Sequence, residues 1–164
     1  MNKSISFIGM AGAGKSSIGK MVADSLNFNF IDSDLLIESD HKKSLQDLLE
    51  KGGLENFKKI EEKVLLSVKF NNTVLATGGS AVFSSVAMNH IKSNSMIIYI
   101  EVPYEDIIKR VTDFSKRGFV KDSNQTILEA FEEREAIYKN FANHIVQNNG
   151  SLESCFEEVL SLAK

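Results

Sequence analysis

Hydrophobic and polar positions along the chain follow two periods. Short apolar runs at 5–8, 28–31, 73–77, 96–102 and 144–147 read as strands, and the run at 96–102 is almost wholly apolar and β-favouring. Longer amphipathic stretches separate them. Ile18, Val22 and Leu26 mark one face of a helix over 14–26, and further helices are predicted over 45–49, 57–68 and 126–142. Pro103 suits the first turn of another helix, and Ser151 can cap a last one running to Ala163. Strands alternating with helices predict right-handed crossovers and a mostly parallel five-stranded sheet covered on both faces, an α/β fold of three layers. Ligands bind such sheets beyond the carboxyl ends of the strands. The chemically unusual residues fall there: the segments 9–16, 32–34 and 78–80 each follow a strand directly.

Composition narrows the class. The 164 residues suit one domain, and no linker, repeat or low-complexity segment divides them, so 1–164 is read as a single unit. With 43% hydrophobic and 25% charged residues, an ordinary soluble globular protein is expected. A net charge of −3 gives no sign of a nucleic-acid surface, and the one local basic stretch, 109–121, is interrupted by Asp113. The single cysteine, Cys155, shares an apolar helical stripe with Leu152, Phe156 and Val159 and reads as a buried structural thiol. The N-terminal apolar run is too short for a signal peptide or a membrane span, so a cytoplasmic protein without membrane contact is expected. No long exposed apolar patch calls for an oligomer, and a monomer is expected.

The sharpest chemical signal is Gly9-Met10-Ala11-Gly12-Ala13-Gly14-Lys15-Ser16 between a strand and a helix. This is the G-x-x-x-x-G-K-[ST] phosphate loop in its required context. Its glycines let backbone N–H groups wrap a phosphate, and the helix N-terminus adds a positive field. Lys15 can reach the β- and γ-phosphates, and the Ser16 hydroxyl can ligate Mg²⁺. The pattern points to ATP or a similar nucleotide before it points to a reaction.

Asp32 and Asp34 follow the second strand, and extended geometry would turn both the same way. Asp32 is placed to hold Mg²⁺ through water, and Asp34 to orient or deprotonate an acceptor hydroxyl. The competing reading is that one of them caps a helix starting at Leu35. Arg134 shares a helical face with Ile127, Phe131 and Tyr138, so it needs an anionic partner, either a ligand or an internal carboxylate such as Glu61 or Asp34. Arg110 and Lys116-Arg117-Gly118 flank an apparent helix end, and the aperiodic segment 112–123 reads as a lid or as a plain solvated loop.

Together these segments resemble the shikimate kinase family across nearly the whole chain. The resemblance implies a P-loop fold like that of the nucleoside monophosphate kinases, with substrate-binding helices over 33–65 and a lid over 112–123. It implies ATP with Mg²⁺ as cofactors and transfer of the γ-phosphate to the 3-hydroxyl of shikimate, a step of chorismate and aromatic amino acid biosynthesis. Gly12, Ala13, Gly14, Lys15, Ser16 and Ser17 then surround the nucleotide phosphates. Asp32 lies near Mg²⁺ and Asp34 at the acceptor hydroxyls. Gly78-Gly79-Ser80 matches the family's glycine turn at the acceptor. Arg110 matches an arginine beside the adenine, and Arg117 the lid arginine that reaches the transferred phosphate. The run Glu133-Arg134-Glu135-Ala136-Ile137-Tyr138 is similar to the family's E-R-x-x-x-Y helix, whose arginine binds the substrate carboxylate. For the adenine-side loop, Asn148-Asn149-Gly150 is a positional assignment.

Three departures stand out. Lys58 replaces the second carboxylate-binding arginine and loses its planar fork. Ser80 replaces a glycine, adding a side chain where the acceptor should approach. Gly118 replaces the lid proline. On these residues two other readings stay open: a kinase of another small hydroxy acid such as gluconate, and a nucleotide-binding homologue with little kinase activity.

Overall fold

Residues 4–111 and 120–164 are described by the structure, a computed structural model. Five strands form one sheet in the order β2-β3-β1-β4-β5: β1 (Ser4–Ile8), β2 (Asn29–Asp32), β3 (Thr73–Ala76), β4 (Ser95–Glu101) and β5 (His144–Gln147). Every neighbouring pair is parallel, so the expected mostly parallel sheet is parallel throughout. Central β1 is buried along its whole length, and β4 nearly so, as befits strands covered on both faces.

Among the described residues eight α-helices surround the sheet or pack beside it: α1 (Lys15–Leu26), α2 (Ser33–His41), α3 (Leu45–Gly52), α4 (Leu54–Ser67), α5 (Ser85–Asn94), α6 (Tyr104–Arg110), α7 (Ile127–Phe141) and α8 (Leu152–Ala163). Side chains cap them where the pattern allows. Ser44, Ser84, Thr126 and Ser151 each accept a hydrogen bond from a first-turn N–H of α3, α5, α7 and α8. Helix α5 has no counterpart among the predicted elements. Its apolar positions, Ala87, Met88 and Ile91, are few, and polar residues fill the rest. The readable signal was the Ser84 cap.

Two apolar clusters result. The larger surrounds the sheet, with Phe7, Ile8, Leu75, Ile98 and Ile100 at its centre. The smaller joins α2, α3 and α4 through Ile37, Leu45, Leu48, Phe57 and Val64, and takes in Val120 from the start of the segment before α7. The register sets the end that matters: Asp32 and Phe7 both pair with Ala76. The chain therefore leaves β1, β2 and β3 at one level, which brings the phosphate loop, Asp32 and the Gly78 turn together.

Candidate active site

The phosphate loop runs from the end of β1 into α1. Gly14 caps α1 with φ 99°, a left-handed conformation that favours glycine. A Cβ there would lie 2.7 Å from Nδ2 of Asn148. That contact has a purpose: the buried Asn148 amide donates to the Ala13 carbonyl at 2.8 Å, and the Asn148 backbone N–H donates to the Glu101 carbonyl. Asn148 thus ties the loop to the ends of β4 and β5, on the side assigned to the adenine. Arg110 reaches the same place, donating to the Asn148 carbonyl and, at 3.4 Å, to that of Ala13. Lys15 is buried and folds back to donate to the carbonyls of Gly9 (2.6 Å) and Met10 (2.8 Å). Its ammonium is held at the loop mouth.

Asp32 takes the capping role, and it does so with only one of its two oxygens. One oxygen, Oδ1, accepts from the N–H groups of Asp34 and Leu35 and caps α2, which begins at Ser33 rather than at Leu35. The other, Oδ2, accepts from the Ser16 hydroxyl at 2.5 Å. A hydroxyl and a carboxylate in contact form a hard-oxygen pair that suits Mg²⁺. Among the described residues no group of three or more His, Cys, Asp or Glu could hold a metal. The extended geometry expected to relate Asp32 and Asp34 is absent: Asp32 ends β2 and Asp34 lies in the first turn of α2, so strand alternation does not relate them.

Two hollows meet at Asp34. The larger, about 430 Å³, is lined by Gly12, Gly14, Lys15, Ser16, Ser17 and Asp34 among others. The smaller, about 30 Å³, lies between Asp34, Glu61, Gly78, Ser80, Val120 and Arg134. Gly78 makes the meeting possible: a Cβ there would stand 2.5 Å from Oδ1 of Asp34 and 2.8 Å from Oε2 of Glu61. Arg134 is 1% exposed, as its apolar helical face required, and it faces Glu61 electrostatically. Burial disfavours its charge, and the neighbouring Tyr138 and Glu61 oppose that effect. Tyr138 donates to the Gly79 carbonyl at 2.5 Å, fixing the turn against α7.

Glu61 is the site residue that the sequence reading assigned only as a possible partner of Arg134. It is 3% exposed, and burial pushes its carboxyl up to about 7. The Ser80 hydroxyl donates to its Oε1 at 2.7 Å and opposes that rise, Asp34 adds to it, and Arg134 and Lys15 oppose it. The i, i+3 spacing from Lys58 was visible in the sequence, but burial was not. Phe83 was missed altogether. Its ring stands 5.3 Å from the Arg134 guanidinium and 5.4 Å from the Lys58 ammonium. Lys58 itself lines an adjoining hollow of about 210 Å³ with Glu55, Glu62 and Phe83, rather than the smaller cavity beside Asp34. Gly79 and Ser80 line the smaller cavity, whereas Arg117 lies outside the described residues. Cys155 is buried, as expected, and burial pushes its thiol up to about 11.

Comparison with known proteins follows the same lines. The chain matches the family model described as shikimate kinase over residues 11–164. A shikimate kinase of Clostridium botulinum (strain Alaska E43 / Type E3) is 34% identical over 160 residues, covering 97% of this chain and 96% of that one. Among solved structures, the shikimate kinase from Acinetobacter baumannii in complex with shikimate superposes with a TM-score of 0.88 at 27% identity, covering 98% of this chain and 92% of that one. The shikimate kinase from Aquifex aeolicus gives 0.82 at 30% identity, with 96% and 94% covered.

Proposed function

The chain belongs to the shikimate kinase family, and from that premise we propose that it transfers the γ-phosphate of ATP to the 3-hydroxyl of shikimate. As a member of the family it is an ATP-dependent phosphotransferase with an alcohol group as acceptor. The observation that carries the reading is that Asp34 lines the nucleotide cleft and the smaller cavity alike. A carboxylate so shared can meet a hydroxyl on one side and a terminal phosphate on the other.

In the proposed reaction the acceptor oxygen forms a bond to the γ-phosphorus while the bond from that phosphorus to the bridging oxygen of ADP breaks. Asp34 orients the hydroxyl and receives its proton. Lys15 turns from the Gly9 and Met10 carbonyls to the phosphates, and the N–H groups of 12–17 hold them. Ser16 would hold Mg²⁺ directly and Asp32 would do so through water; when bound, the ion would supply positive charge to the phosphates. Arg134, with Gly78 and Gly79 beside it, receives the acceptor's carboxylate. Lys58 adds positive charge from the adjoining hollow without the geometry of a second fork. Arg110 moves from the loop carbonyls to the adenine. Arg117 serves as the lid arginine by the family resemblance. The helices over 33–65, with their own small core, form the acceptor-binding layer.

We also propose a cytoplasmic monomer. The buried thiol of Cys155 suits a reducing compartment, and among the described residues no helix is long and apolar enough to cross a membrane. The large apolar side chains left exposed lie on separate elements, from Leu35 on α2 to Leu152 on α8.

The test is steady-state ADP release from Mg²⁺-ATP with no acceptor, with shikimate and with gluconate. Strong stimulation by shikimate alone is expected. Stimulation by gluconate alone would overturn the assigned acceptor, and no stimulation by either, with ATP bound, would overturn the catalytic reading.

A further inference from the structure

We infer that Ser80 is a positioning residue for acceptor binding, acting through the buried carboxylate of Glu61. The inference rests on the acceptor reading above and concerns a residue at which this chain departs from its family. As a sequence feature, Ser80 reads as an obstruction, a side chain added where the acceptor should approach. The structure turns that side chain the other way.

Ser80 is 7% exposed, and its hydroxyl donates to Oε1 of Glu61 rather than pointing into the open. Both residues stand in the wall between the smaller cavity and the hollow that contains Lys58, since each lines both. The second oxygen of Glu61 is the one near the Gly78 turn and Asp34. The Ser80 bond therefore selects which oxygen faces the acceptor wall. Its loss would free a buried carboxylate to turn toward Lys58 or Arg134. Arg134 is the cation assigned to the acceptor, so an unfixed Glu61 competes with the ligand for it. A hydroxyl that pins Glu61 keeps the wall organised before the acceptor arrives.

The backbone of Ser80 lies at φ −99°, ψ 1°, a negative φ that demands no glycine and that alanine shares with serine. Ser80→Ala therefore removes the hydroxyl without straining the turn. Apparent KM for shikimate and for ATP, and kcat, are measured for the wild type, Ser80→Ala and Ser80→Thr. We expect Ser80→Ala to raise the shikimate KM by about threefold to tenfold. The ATP KM should hold, kcat should fall by less than the acceptor KM rises, and Ser80→Thr should recover most of the loss. An unchanged or lower shikimate KM in Ser80→Ala would overturn the inference and restore the obstruction. An equal loss of ATP affinity would also overturn it, because it would mark a purely structural role. Absence of shikimate-dependent turnover in the wild type would instead sink the acceptor reading on which the inference stands.

Discussion

Single side chains decide the chemistry, and their burial sets how they behave. Asp34 lines both hollows, and the proposed function makes it the group that orients the acceptor hydroxyl. Asp34→Asn should lower kcat at least about a hundredfold while ATP binding, read by calorimetry, stays within twofold of the wild type by rough expectation. Turnover near the wild-type rate would remove Asp34 from the reaction. Glu61 makes a different prediction, because its proton is held more tightly in the folded protein than in the unfolded chain. Its carboxyl is pushed from 4.5 up to about 7, chiefly by burial. The native state thus binds the extra proton, and the resulting stability is complete below 4.5 and lost as pH rises through about 7. The loss is at most about 3 kcal/mol. Urea unfolding of the wild type and Glu61→Gln at pH 5 and pH 8 should show a steeper decline in the wild type. Parallel declines would mean that Glu61 does not titrate in this window.

Among the elements, the phosphate loop is not a free-standing motif. Its glycines permit the turn, but Asn148 from the end of β5 holds the Ala13 carbonyl, and Arg110 from α6 closes over the same point. Asn148→Ala leaves a buried carbonyl without that donor, at a cost of about 1–3 kcal/mol in loop order. The ATP KM should rise about fivefold or more with the shikimate KM little changed. An unaltered ATP KM would show that the loop holds its shape alone. The second strand teaches a related lesson. Alternation along β2 would turn Asp32 and Asp34 one way, yet α2 begins at once because Asp32 caps it. Local hydrogen bonding overrode the strand period, and the same carboxylate kept an oxygen for Ser16.

At the scale of the whole molecule, two apolar cores divide the labour. The larger fixes the sheet and the nucleotide end, and the smaller fixes α2 to α4 and reaches Val120. Ile37 is fully buried in the smaller core. Ile37→Ala should cost about 2–5 kcal/mol in unfolding free energy and raise the acceptor KM before the ATP KM. Equal rises in both would show that the two cores act as one. The chain's own order of residues already carried the strand count and the phosphate-loop pattern, and it put forward Asp32, Asp34, Gly78, Gly79 and Arg134 as candidates, because periodicity and fixed spacing are local properties written in neighbouring positions. It could not carry the direction of Ser80, the burial of Glu61, the Phe83 ring between two cations or the Asn148 tie. Each of those joins residues far apart in the chain: Ser80 with Glu61, Asn148 with Ala13, Phe83 with Arg134. Such pairs exist only after the sheet has set its strand order and register, since it is packing across elements that decides which polar groups lose water and which partners they find there.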